Sequence, residues 1–101
     1  MTTVSTGDPA LEAAASAFRD RVVGLGCEAP FEVTWAADHA TLPHRHDFRA
    51  FGLVLAGSFT LTTPEGPRRL EQGDSFDLAA GVEHTETVNG VPTKVLAARL
   101  R

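Results

Sequence analysis

Tyrosine is absent from this 101-residue sequence, and cysteine, methionine and tryptophan occur once each. The lone Cys27 excludes an intramolecular disulfide framework and suits a reducing compartment. No sequence neighbour is placed to activate it, so it reads as an incidental thiol. No apolar run approaches the roughly 18 residues that span a bilayer as a helix. The opening Met1-Thr2-Thr3-Val4-Ser5-Thr6 has neither the basic nor the apolar region of a secretory signal. A cytoplasmic protein with no membrane partner is the expectation. Clustered basic charge is missing as well. Lys and Arg number 9 against 13 Asp and Glu, giving a net charge of −4. The pairs Arg19/Arg21, Arg68/Arg69 and Arg99/Arg101 are short and read as solvated charge, so no nucleic-acid face is expected.

What is present fits one domain with a single modest core, since 43% of the residues are hydrophobic. Residues 1–7 are small and polar and are expected to be flexible. Asp8-Pro9 is a helix start, with a capping carboxylate followed by a residue whose φ suits the first turn. Leu11, Ala14, Ala15, Phe18, Val22 and Leu25 then form one stripe, and Gly24 and Gly26 end it. This predicts a packing helix over 8–26, set against a sheet or another subunit.

From Phe31 the period becomes two: Phe31, Val33 and Trp35 share one face. Asp38-His39-Ala40 reads as a turn with His39 at the surface. Further strands are predicted over Ala50–Leu55, Ser58–Thr62, Arg68–Glu71 (an edge), Ser75–Leu78, His84–Val88 and Thr93–Leu100. Gly57 reads as a bend or bulge, Thr63–Pro67 as a turn and Asn89-Gly90 as a two-residue hairpin. Many short strands behind one helix indicate a mostly β chain, a small sandwich or barrel over 27–101.

The chemistry concentrates at Leu42-Pro43-His44-Arg45-His46-Asp47-Phe48. Alternation on a strand points His44 and His46 to one face, where two imidazoles can share a metal ion, and His84 is a candidate third ligand. Phe48 and Ala50 share that parity and are candidate pocket residues, whereas Asp47 and Arg49 face away. Glu86, two residues beyond His84, points with it and is a candidate fourth ligand or general base.

This pattern resembles the cupin superfamily, the small RmlC-like jelly-roll proteins, over Phe31 to Leu100. Its two motifs are G-x5-H-x-H-x3-4-E-x6-G and G-x5-P-x-G-x2-H-x3-N. His44, His46 and Gly57 match the first, with Asp38 at the opening glycine and Ala50 at the acidic position. Gly73, Gly81 and His84 match the second, with Ala79 replacing proline and Val88 replacing asparagine. The resemblance implies a single-domain jelly-roll barrel with a metal in its mouth, held by His44, His46 and His84.

Ala50 has no donor atom, so the acidic ligand does not carry over. Either three imidazoles bind alone, or another carboxylate, Glu86 ahead of others, moves in. The ion implied is a divalent transition metal: Fe, Zn, Ni, Mn or Cu. Relatives with three histidines and no acid include dioxygenases, so a metal-dependent enzyme on a small organic substrate is one reading. A non-catalytic small-molecule binding or sensing barrel is the second, and a metal-free dimeric cupin the third. A homodimer is expected in each, because an open sheet edge favours pairing.

Overall fold

The computed structural model describes residues 8–101, so the flexibility expected of residues 1–7 lies outside it. Helix α1 spans Pro9–Gly24 and is followed by β1 (Phe31–Trp35), β2 (Arg49–Ala56), β3 (Ser58–Thr63), β4 (Gly66–Glu71), β5 (Ser75–Leu78), β6 (Thr85–Val88) and β7 (Thr93–Leu100). The Asp8 carboxylate accepts from the amides of Ala10 and Leu11, and Pro9 opens the first turn without an amide to satisfy. Leu11, Phe18 and Val22 are buried on the helix's inner face. Leu25 departs from the predicted stripe: it is the C-cap residue, past the last residue of the helix, and 43% exposed.

The strands form two antiparallel sheets, ordered β1-β7-β2-β5 and β4-β3-β6. The chain switches sheet between β2 and β3, between β4 and β5, and again on either side of β6, giving the closed sandwich of a jelly-roll barrel. Both faces of β2 are covered. Phe51, Leu53 and Leu55 pack outward with Leu96 and Ala98 against Leu11, Phe18 and Val22 of the helix. Val54 and Val95 point the other way, into the space between the sheets, with Phe59, Leu61, Leu70 and Val88. That double coverage explains the unbroken apolar run of β2 in an otherwise alternating sequence.

Three local features correct or refine the sequence reading. The register of β2 against β7 shifts between Val54 and Ala56, so the bulge precedes Gly57. Gly57 itself has φ +80°, and a side chain there would strike the Pro92 carbonyl and Thr93. Asn89-Gly90 is not a hairpin: β6 pairs with β3, and β7 pairs with β1 and β2. The segment instead crosses between sheets. Asn89 is tied to Ser58 through its backbone and side chain, and the buried Thr93 hydroxyl donates to the Ser58 carbonyl. A two-residue turn does occur at Pro64-Glu65, where Thr63 pairs with Gly66.

Gly52 faces the barrel interior opposite Phe76, and an added Cβ would overlap the Phe76 ring. Gly52→Ala is expected to lower stability by about 1–3 kcal/mol, the usual cost of overpacking a filled core. Urea unfolding checks this; an unchanged midpoint would mean that Phe76 reseats without cost.

Candidate metal centre

One end of the space between the sheets opens into a cavity of about 220 Å³. Trp35 and Phe76 stand on its wall, each edge-on to Phe59 of the core beneath, with ring centroids 5.1 and 6.0 Å apart. His44, His46, His84, Glu86, Phe48, Ala50 and Arg99 also line it.

The histidines are brought together by backbone, not by one regular strand. Residues 40–44 run antiparallel beside β6, with bridges at Ala40–Thr87 and His44–His84. The His44 amide donates to the His84 carbonyl at 3.0 Å, and the His84 amide donates back at 2.9 Å. Residues exchanging both bonds in an antiparallel pair project side chains on the same face. The two imidazoles accordingly lie 4.3 Å apart between ring centroids. The predicted strand through His44 and His46 ends at that bridge, yet His46 still converges, because its carbonyl is held by the Gly81 amide at 2.8 Å. Its ring sits 5.0 Å from His44 and 5.1 Å from His84.

Second contacts orient these rings for ligation. His44 Nδ1 lies 2.8 Å from the Leu42 carbonyl and His84 Nδ1 lies 2.9 Å from the Val82 carbonyl. A carbonyl can only accept, so in the neutral rings each Nδ1 carries the proton and each Nε2 offers a lone pair. His84 is 2% exposed, and its Nε2 is buried without a hydrogen-bond partner. A buried nitrogen left in that state costs free energy unless something else occupies its lone pair. One nitrogen from each of the three rings lies within 4.8 Å of the others, a spacing that modest side-chain rotation closes around one ion at about 2.0–2.1 Å. The residues therefore fit a metal.

Glu86 points into the cavity. Its amide donates to the Thr41 hydroxyl at 2.9 Å, while the Thr41 amide donates to its carbonyl at 3.0 Å. Its carboxylate lies 3.7 Å from His84 Nε2 and 3.9 Å from His39 Nε2, with the side chain 16% exposed. His39 was expected at the surface. It is instead half-buried, stacked on Trp35 at 5.0 Å and 2° between planes, with an unpartnered Nε2 aimed at Glu86. The turn that follows Trp35 brings His39 onto its ring locally, with the His39 amide donating to the Ala36 carbonyl, whereas Glu86 reaches His39 only through the fold.

Phe48 stacks on His46 at 4.7 Å, and Ala50 leaves its portion of the wall without a donor. Asp47 is exposed. Arg49 turns to the outer face, pairing with both carboxylate oxygens of Asp77 at 2.8 and 2.6 Å. That pairing holds the Asp77 carboxyl below its usual range. Arg99, read as solvated charge, lines the cavity because its parity on β7 matches Val95 and Ala97.

A closed antiparallel sandwich with three imidazoles gathered at one mouth is the architecture of a small barrel that could hold a metal there. The sequence matches the Cupin domain family over residues 31–98, and the chain belongs to it. No curated protein matches the chain. Several solved structures share the fold at low identity. A cupin-2 domain protein from Shewanella frigidimarina is 19% identical with a TM-score of 0.62, covering 71% of this chain and 69% of its own. The DMSP lyase DddQ from Ruegeria pomeroyi is 24% identical with a TM-score of 0.66, covering 72% and 38%. The polyketide cyclase RemF from Streptomyces resistomycificus is 21% identical with a TM-score of 0.64, covering 71% and 53%. A protein of unknown function from Streptococcus pyogenes is 15% identical with a TM-score of 0.65, and the match spans only 62% of its length. No helix among the described residues is long and apolar enough to cross a membrane.

Burial, then the neighbouring His84 and His44, push the His46 pKa below its usual 6.5; Glu86 opposes this and Arg99 adds to it. The unfolded chain then binds more protons at His46 as pH falls through that value, so acidification destabilises the native state. The metal-free protein is expected to melt lower at about pH 5.5 than at about pH 7.5, with His46→Gln narrowing the difference. An equal drop in the variant would assign the effect to other groups.

Proposed function

We propose that the chain is a mononuclear metal-dependent enzyme acting on a small organic substrate, with His44, His46 and His84 as metal ligands. The observation that carries this reading is the convergence of three imidazole nitrogens, one of them buried on His84 with an unclaimed lone pair. The donor set is all nitrogen, which suits Fe, Zn, Ni or Cu; Mn fits better if Glu86 joins as a fourth donor. A divalent ion held this way supplies Lewis-acid polarisation of a bound oxygen donor and, if iron, activation of dioxygen.

The protein's own groups have separate tasks. The Leu42 and Val82 carbonyls hold the His44 and His84 rings in the tautomer that leaves Nε2 unprotonated. Glu86 is the proton acceptor of the site, the role for which we assign it as catalytic. Its carboxylate is in the cavity and largely shielded from water, with His39 on its other side to share the proton. Phe48 and Ala50 shape the substrate pocket. Trp35, Phe48 and Phe76 give that pocket an aromatic wall suited to the apolar body of a small molecule. Glu86 facing the cavity, with His39 behind it, favours catalysis over a purely binding barrel, which would need no carboxylate in that position.

Elemental analysis of the untagged protein purified without chelator is expected to give close to one transition ion per chain. His84→Ala is expected to lose most of that metal while retaining its far-UV circular dichroism. Retained metal in this variant, or no uptake by the wild type from any of the five ions, overturns the site. Glu86→Gln is expected to keep the fold and lower turnover by roughly 100-fold, the lower end of what a positioned acid–base group contributes.

A further inference from the structure

The cavity holds a second feature that the metal reading does not use. All 9 Lys and Arg residues lie among the described residues. Arg19, Arg21, Arg45, Arg49, Arg69, Lys94 and Arg101 each have a carboxylate within ion-pair distance, and Arg68 donates to the Ser75 carbonyl. Of these nine, Arg99 alone has neither an ion pair nor a side-chain hydrogen bond among the described residues. It is also the one cation lining the candidate metal cavity.

Its position is built. Arg99 stands on β7 opposite Ala50 of β2, and its guanidinium carbon lies 5.1 Å from the Phe31 ring centroid and 5.0 Å from that of Phe48. Those rings restrict the guanidinium without occupying any of its N–H donors. Phe48 in turn stacks on His46, which places Arg99 beside the histidine cluster, close enough for its charge to act on His46. Three neutral imidazoles around a divalent ion, with Arg99 added and only Glu86 opposing, leave the cavity with a positive balance. An anion is the complement. The wall provided by Phe31, Val33, Trp35 and Phe76 requires that anion to carry an apolar body, which inorganic phosphate lacks.

We propose that Arg99 is a ligand-binding residue that selects small organic carboxylates, pairing its guanidinium fork with the carboxylate at the cavity mouth while the apolar part of the ligand lies against the aromatic wall. This names the substrate class of the proposed enzyme and rests on that reading for its catalytic consequence, though in the metal-free protein the carboxylate preference depends on Arg99 without the ion.

The test uses two isosteric pairs, benzoate with benzamide and butyrate with butyramide. Each is titrated calorimetrically into wild-type protein, Arg99→Gln and Arg99→Lys, in metal-free and zinc-loaded forms whose metal content is measured directly. At least one carboxylate is expected to bind the wild type about tenfold or more tightly than its amide. In the metal-free protein Arg99→Gln is expected to abolish that preference with amide affinity unchanged, and Arg99→Lys to retain part of it, because lysine keeps the charge but loses the fork. In the zinc-loaded protein Arg99→Gln is expected to reduce it, since zinc itself takes a carboxylate oxygen. Equal affinity for carboxylate and amide in the wild type, a preference that survives undiminished in metal-free Arg99→Gln, or no binding of either carboxylate overturns the proposal. Should the protein take up no zinc, the metal reading fails, while an Arg99-dependent preference in the metal-free protein still supports the carboxylate site.

Discussion

The reciprocal backbone bond between His44 and His84 is the constraint on which the site depends. It joins two residues forty positions apart in a pair whose geometry obliges both side chains onto one face. The segment before β2 is thereby fastened along the edge of β6. Thr41 extends the same seam and sets Glu86 beside the imidazoles, while the Gly81–His46 bond draws in the third ring. No side-chain contact between the histidines is needed to assemble the cluster. The rings converge because the main chain has already been paired.

That seam is held in place by a sandwich with an unequal distribution of burial. The sheet containing β2 is covered on both faces, by α1 outside and by the second sheet inside, so its central strands are rigid from both directions. The core between the sheets is filled at one end by Phe59, Leu61, Leu70 and Val88 and gives way to open space at the other. Gly52 admits the Phe76 ring at the boundary, and Ala50, the next inward residue of β2, leaves volume where a longer side chain would reach toward the histidines. The cavity is the part of the barrel interior that the small residues of β2 and β7 fail to fill.

The electrostatics of the mouth follow from burial. Burial and the neighbouring rings lower the pKa of His46, and a neutral imidazole is the form that ligates. Carbonyl acceptors at Leu42 and Val82 then decide which nitrogen faces inward. Among the described residues, Glu86 is the only acid lining the cavity and Arg99 the only fixed cation. The roles we propose for the two, proton transfer and ligand capture, would be exercised within one small space.

Much of this was legible in the sequence. Asp8-Pro9 marks the helix start because capping is a local matter, and period-two patterning located Phe31–Trp35, Ser75–Leu78 and Thr93–Leu100 as strands because face alternation is a property of the chain itself. Histidine spacing with the cupin resemblance named His44, His46 and His84, and parity turned Glu86, Phe48 and Ala50 inward. Pairing partners are another matter. Asn89-Gly90 has the composition of a hairpin but joins strands of opposite sheets, since turn residues permit a reversal without choosing what the next strand will bond. His39 and Arg99 read as surface residues because the groups that define their surroundings are distant in sequence: Glu86 meets His39, and Phe31 and Phe48 meet Arg99, only after the barrel closes. Local conformation and side-chain parity were thus determined by the sequence alone, through interactions a few residues long. The tertiary structure alone decided which inward-facing groups share a cavity, because that depends on the non-local pairing of β6 with the segment before β2.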